Sequence, residues 1–253
     1  YMVRFFFFFW AENSCLPKMT GHRITSWPTS PSLKASKKTS TVSLLRWLEP
    51  ELAFGHTFWP EVFSALTMLL PALHGYALAP EIALDASFPP GIWALLYATL
   101  FHCPISMAYH SANAIFEGTP GYDALCTPFR TADLIAIHFC CIAFGWAESH
   151  GDVAYTSLLV VLNIRCIISL LITLAKGRRG GRHENYWVAL AVFLYTLPVL
   201  MRGDFHNYAG IATSWCLACI FQSLGPKMGG WGHGFFHLML VPYLHFLMRG
   251  AAS

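Results

Sequence analysis

Seven apolar stretches recur along the chain, at about 58–79, 91–115, 130–148, 153–175, 186–202, 206–224 and 231–249. Each is close to the about 20 residues that a helix needs to cross a bilayer core. The fifth is the shortest. Polar or helix-breaking segments separate them: "FPPG" at 88–91, "EGTPG" at 117–121, "ESHGD" at 148–152, "KGRRGGRHE" at 176–184, "RGD" at 202–204 and "GPKMGG" at 225–230. The pattern predicts an all-α, seven-transmembrane helix bundle over residues 46–253, with no internal repeat and no second soluble domain. Residues 1–45 read differently. After "FFFFFW" they are rich in Ser, Thr and Lys and nearly free of acids. That composition suits a polar tail or a targeting segment.

Composition strengthens the membrane reading. Of 253 residues, 55% are hydrophobic and 11% are charged, against about 25% charged in soluble domains. So few charges cannot cover a water-facing surface, so a multi-pass integral membrane protein is expected. A net charge of +3 is too small for a nucleic-acid footprint. The cysteines are scattered, several within apolar runs (Cys103, Cys140, Cys141, Cys166), and the Cys216/Cys219 pair has no second pair to complete a metal site. They read as small buried hydrophobes. Seven crossings would put Lys34, Lys37, Lys38, Arg46, Lys176, Arg178, Arg179, Arg182 and Lys227 on the N-terminal face, leaving little beyond Arg202 and Arg249 on the other. The positive-inside rule then places the N-terminus in the cytosol or its equivalent.

Against this apolar background the ionisable residues stand out, because such groups are costly in a bilayer and face the bundle interior. His233 and His237 are four apart, hence on one helix face, in the first two turns of the last segment. Ser106 and His110 have the same spacing near the end of the second segment, and Asp133 falls in the first turn of the third. With seven alternating crossings, all three helix ends lie on one membrane face. His110, His233 and His237 then offer three imidazoles with one position open, the arrangement of a catalytic zinc site. Asp133 would act as general base. Ser106 would donate a hydrogen bond to a developing oxyanion or hold the water. His74, His102, His138 and His245 read as interior hydrogen bonders, and His56, His150, His183 and His206 as loop or interface residues. Asp123, a rival acid, is expected in a loop.

These pieces resemble a membrane hydrolase superfamily that includes the alkaline ceramidases and the progestin and adiponectin receptors. Its signature is an SxxxH on the second helix, an Asp on the third and an HxxxH on the seventh. Here it reads Ser106 to His110, Asp133, and His233 to His237. "RWLEPEL", "FWPEVFSALTMLLPA", "DLIAIHFCCIAFGWAE" and "HGFFHLMLVPYLH" are most similar to alkaline ceramidases, and the resemblance spans most of residues 47–246. It implies a zinc-dependent hydrolase that cleaves the N-acyl amide of a ceramide-type sphingolipid. It also implies a calcium ion held by the Trp47 carbonyl, Glu49, Glu51 and Glu61, oxygen ligands that suit a hard cation.

An endomembrane location (ER or Golgi) follows from the same resemblance, whereas the acid-poor tail points to an organelle membrane. A lipid within the bilayer is the expected partner, its acyl chain against Phe63, Leu66, Tyr109, Phe235 and Phe236. The sequence names no protein partner. Three features depart from the ceramidase pattern: the long gap between His110 and Asp133, Glu51 in place of an amide, and an N-terminus that charge places on the cytosolic side. Two other readings of the scaffold are a non-catalytic receptor and a structural subunit of a larger membrane complex.

Overall fold

The computed structural model describes residues 57–178 and 182–253. The N-terminal tail, Trp47, Glu49 and Glu51 lie outside them. Eight α-helices follow in order: α1 Phe58–Thr67, α2 Leu69–Asp85, α3 Pro89–Phe116, α4 Pro128–Glu148, α5 Val153–Ala175, α6 Arg182–Met201, α7 Phe205–Leu224 and α8 Gly232–Ala252. Only Met68 separates α1 from α2, so the two make one rod of 28 residues. There is no strand among the described residues.

The helix ends follow local chemistry. Pro89 and Pro128 open α3 and α4, where a missing N–H costs nothing. The Thr127 hydroxyl accepts from Arg130 N at 3.1 Å, Asp152 from Tyr155 N at 2.8 Å, and Asp204 from Asn207 N at 3.2 Å; all three are N-caps. Burial works against the Asp204 carboxylate, yet hydrogen bonds from the Asn207 side chain and backbone hold it below the usual carboxylate range. The first rod runs past residue 79 to Asp85, with Pro80 in its interior. A proline removes one backbone bond, and Ala79 and Ile82 on either side of it are buried in the core.

Five helices are long and apolar enough to cross a membrane: Phe58–Asp85, Pro89–Phe116, Pro128–Glu148, Val153–Ala175 and His183–Met201. They mark the chain as a membrane protein. The last two helices, α7 and α8, are 20 and 21 residues long but are not among the five. Polar residues dilute them: His206, Asn207, Ser214, Gln222 and Ser223 in α7, and His233, His237, His245 and Arg249 in α8.

Successive rods run in opposite directions. One end of the bundle gathers Glu61, His110, Asp133 and His233 and is tied by Arg130 to Glu184 at 2.7 Å. At the other end, Ser87 N donates to Ala252 O at 3.0 Å. The apolar core fills the bundle between them, built on Ile92, Leu95, Leu159, Val199, Leu247 and Met248, with the Tyr195 and Tyr243 hydroxyls hydrogen-bonded to each other inside it.

Glu148, expected at a loop edge, is instead fully buried as the last residue of α4. Arg202 reaches over from the end of α6, donates to the carbonyls of Glu148 and Gly250, and brings Nη2 to 3.7 Å from Glu148 Oε2. One guanidinium thus fastens the C-terminal ends of α4 and α8. Arg202→Met removes both guanidinium donors and leaves the carbonyls of Glu148 and Gly250 without them, a loss of about 1–3 kcal/mol for each buried acceptor left unpaired. It should lower the midpoint in thermal unfolding of the detergent-solubilised protein.

Candidate metal centre

The site is assembled by three helix ends and one close approach. His102, Ser106 and His110 recur every four residues on one face of α3. His233 and His237 do the same on α8. Gly234, between them, is buried, and a Cβ there would lie 2.2 Å from a ring carbon of Phe63. The glycine lets α1 press its Phe63 directly onto α8. That contact, sealed by Trp231 and Phe235 around Phe63, delivers Glu61 and Ser64 to the histidines.

Each histidine is fixed through Nδ1. His110 Nδ1 donates to Glu61 Oε2 at 2.6 Å. His237 Nδ1 donates to the Ser64 carbonyl at 2.9 Å. His233 Nδ1 faces Gln222 Oε1 at 2.5 Å. A carboxylate and a carbonyl only accept, so with neutral rings the proton sits on Nδ1 and each Nε2 presents a bare lone pair. These partners are the outer hydrogen bonds that orient metal-binding histidines and raise their basicity. The three ligand atoms lie within 4.8 Å of one another. His110 Nε2 and His233 Nε2 are 3.2 Å apart, close to the edge of about 3.3 Å that a tetrahedron with Zn–N bonds of about 2.0–2.1 Å requires. Two lone pairs that close repel unless a cation lies between them. His110 and His237 are buried and His233 partly so. The group can hold a metal ion.

Gln222 was not foreseen from the sequence. It closes α7 three residues before the Gly225–Met228 turn, and only the fold of that turn places it on His233. Gln222→Leu removes the outer bond while leaving all three ligands. Metal affinity should fall about 10–100-fold, measured by competition with a chromophoric chelator.

Asp133 is buried beside this group. It falls in the second turn of α4 rather than the first, because the Thr127 cap starts the helix at Pro128. His102 Nε2 donates to Asp133 Oδ1 at 3.0 Å, and Ser106 hydrogen-bonds the same carboxylate. His102 is therefore an interior hydrogen bonder, as expected, but its partner is the candidate base. Its register with Ser106 and His110 was the available signal. His138, in contrast, bonds Asn163 at 2.7 Å, away from the site.

The other candidates fall as follows. Asp123 caps the short turn at Ala124–Cys126, accepting from Leu125 N at 3.1 Å. Glu61, assigned to a calcium site, gives its Oε2 to His110. Phe236 stacks on His233 with ring centres 5.6 Å apart, and Tyr109 leans on His110 at 4.8 Å. Leu66 is exposed on the outside of α1 and does not line the site. Tyr122, in the loop above the site, donates to Asn113 Oδ1 at 2.6 Å. Burial first, then the nearby Glu61 and Glu117 carboxylates, pushes its phenol up, so it stays a donor. A cavity of about 420 Å³ opens at the opposite end of the bundle, lined by Glu81, His206, His245 and Arg249 among others; it is separate from the metal centre.

Comparison with known proteins adds no assignment: no family model matches the chain, and no curated protein or solved structure is similar to it. The functional reading rests on the residues themselves.

Proposed function

We propose that the chain is a zinc-dependent, ceramidase-like membrane amidase, its seven rods crossing the bilayer in alternation. The observation that supports it best is the convergence of three Nδ1-anchored histidines beside a buried, doubly hydrogen-bonded carboxylate. A helix of 20 residues spans about 30 Å, so α7 and α8 are long enough to complete seven crossings. Three imidazole nitrogens, two of them 3.2 Å apart, suit zinc better than a hard cation. Zinc, when bound, supplies Lewis acidity and brings the pKa of a water to about 7.

The protein side of the reaction follows from the placement of each group. Asp133 accepts the proton of the attacking water and returns it to the departing nitrogen as the acyl C–N bond breaks, leaving a fatty acid and an amine. His102 holds Asp133 in place through Oδ1. Ser106, one turn before His110, places its hydroxyl where it steers the water or the carbonyl oxygen. The aromatic rings of Phe63, Phe235 and Phe236 provide an apolar wall for a lipid chain. The test is release of fatty acid by the purified, zinc-loaded protein. Ceramide, phytoceramide and an ester-linked phospholipid are offered side by side. The reading predicts cleavage of the N-acyl amides in preference to the ester. No release from any amide would remove it.

A further inference from the structure

A different feature lies on the outside of the bundle. Arg165 is the thirteenth of the 23 residues of α5, the helix with the highest mean hydropathy of the five. It therefore sits at mid-depth, and it is exposed. The end of α5 at Ala175 is ten residues on, about 15 Å along the axis, beyond the reach of an arginine side chain. Other ionisable groups within these helices, at mid-helix and near the ends, turn inward to partners: His138 to Asn163, Asp133 to His102, His110 to Glu61. Among the described residues, the group recorded against Arg165 is the Trp187 ring, 5.3 Å from its guanidinium carbon. No carboxylate pairs with it among the described residues.

The surroundings of Arg165 have a pattern. Leu158, Val161, Ile168 and Ile172 are all exposed on α5, and with Arg165 they alternate in steps of three and four. That is the a/d spacing of a helix–helix seam, in which a single polar residue fixes register and partner choice. We propose that this face of α5 docks a transmembrane helix of another polypeptide, one carrying an Asp or Glu at its midpoint to pair with Arg165.

Two other occupants fit worse. Anionic lipid phosphates lie at the membrane surface, well away from mid-depth. A second copy of this chain, docked two-fold through the same face, would set Arg165 near its own image. The exposed carboxylates among the described residues, such as Glu81, Asp85 and Asp152, lie near helix ends and not at that depth. A foreign helix acid supplies both the charge and the depth. The pair would be strong where there is no water to compete.

The test uses the full chain in phosphatidylcholine vesicles with two leucine-rich transmembrane peptides, one with Glu at its midpoint and one with Leu there. Association is read by energy transfer between labelled chain and peptide. The Glu peptide should bind about tenfold more tightly than the Leu peptide. The preference should vanish in Arg165→Leu and persist in Arg165→Lys. Replacing a lipid-exposed Arg with Leu does not disturb the interior, and circular dichroism confirms that the variant is folded. Equal binding of the two peptides, or a preference that survives Arg165→Leu, overturns the proposal. So does disulfide cross-linking of an Ile168→Cys variant that joins two copies of the chain through residue 168.

Discussion

Replacing His237 with alanine should abolish metal binding and, with it, turnover. His237 is held more tightly than an ordinary core histidine. Its ring is buried, its Nδ1 is committed to the Ser64 carbonyl at 2.9 Å, and the rings of His110 and His233 lie 5.0 and 4.5 Å away. With Nδ1 so committed, Nε2 is the nitrogen left to bind an ion, and the three ligand atoms lie within 4.8 Å of one another. Without it, two imidazoles remain, and two do not make the closed side of a three-ligand site. The loss of affinity should exceed the about 10–100-fold expected when an outer hydrogen bond is removed. Bound metal should fall from one ion per chain to none by elemental analysis, and fatty-acid release should fall to background. The helical circular dichroism signal should be unchanged, because the core around Leu95, Leu159 and Leu247 is untouched. A His237→Ala protein that keeps its metal would place the ion elsewhere.

Asp133→Asn should have the opposite signature on metal: the ion stays and the reaction stops. Asparagine matches the shape of aspartate, and its carbonyl oxygen still accepts from His102, so the hydrogen bonds that position residue 133 survive. What is lost is the ability to take a proton. General-base contributions are typically about 10²–10⁴-fold, so turnover should drop by about that factor with metal content unchanged. Loss of metal in this variant would make Asp133 a ligand rather than a base. Full turnover would give the base role to another group.

The two variants separate what the sequence made legible from what it did not. The helices follow the apolar pattern to within a few residues, because packing in a bilayer leaves little choice but to bury backbone polar groups in helices. The three histidines and Asp133 were legible for a related reason. Ionisable residues in such segments are rare, and spacing of four puts them on one face. Partnership was harder to read. Gln222 reaches the site only through the turn at Gly225–Met228, so neither spacing nor composition exposed it; His102 shares the four-residue register of Ser106 and His110, but its bond to Asp133 depends on the packing of α3 on α4. The burial of Glu148 was not legible, because "ESHGD" reads as a loop edge and Arg202, 54 residues later, meets its carbonyl only in the fold. The criterion of apolarity recovers five of the seven expected spans, since the polar residues that build the site also lower the hydropathy of α8.

The central claim is that His110, His233 and His237 bind one zinc ion through Nε2. Zinc-edge X-ray absorption on protein purified without added metal tests it most directly. The predicted result is one zinc per chain with three nitrogen ligands at about 2.0–2.1 Å and one oxygen. A protein free of zinc, or zinc in a sulfur-rich or six-oxygen shell, would contradict it.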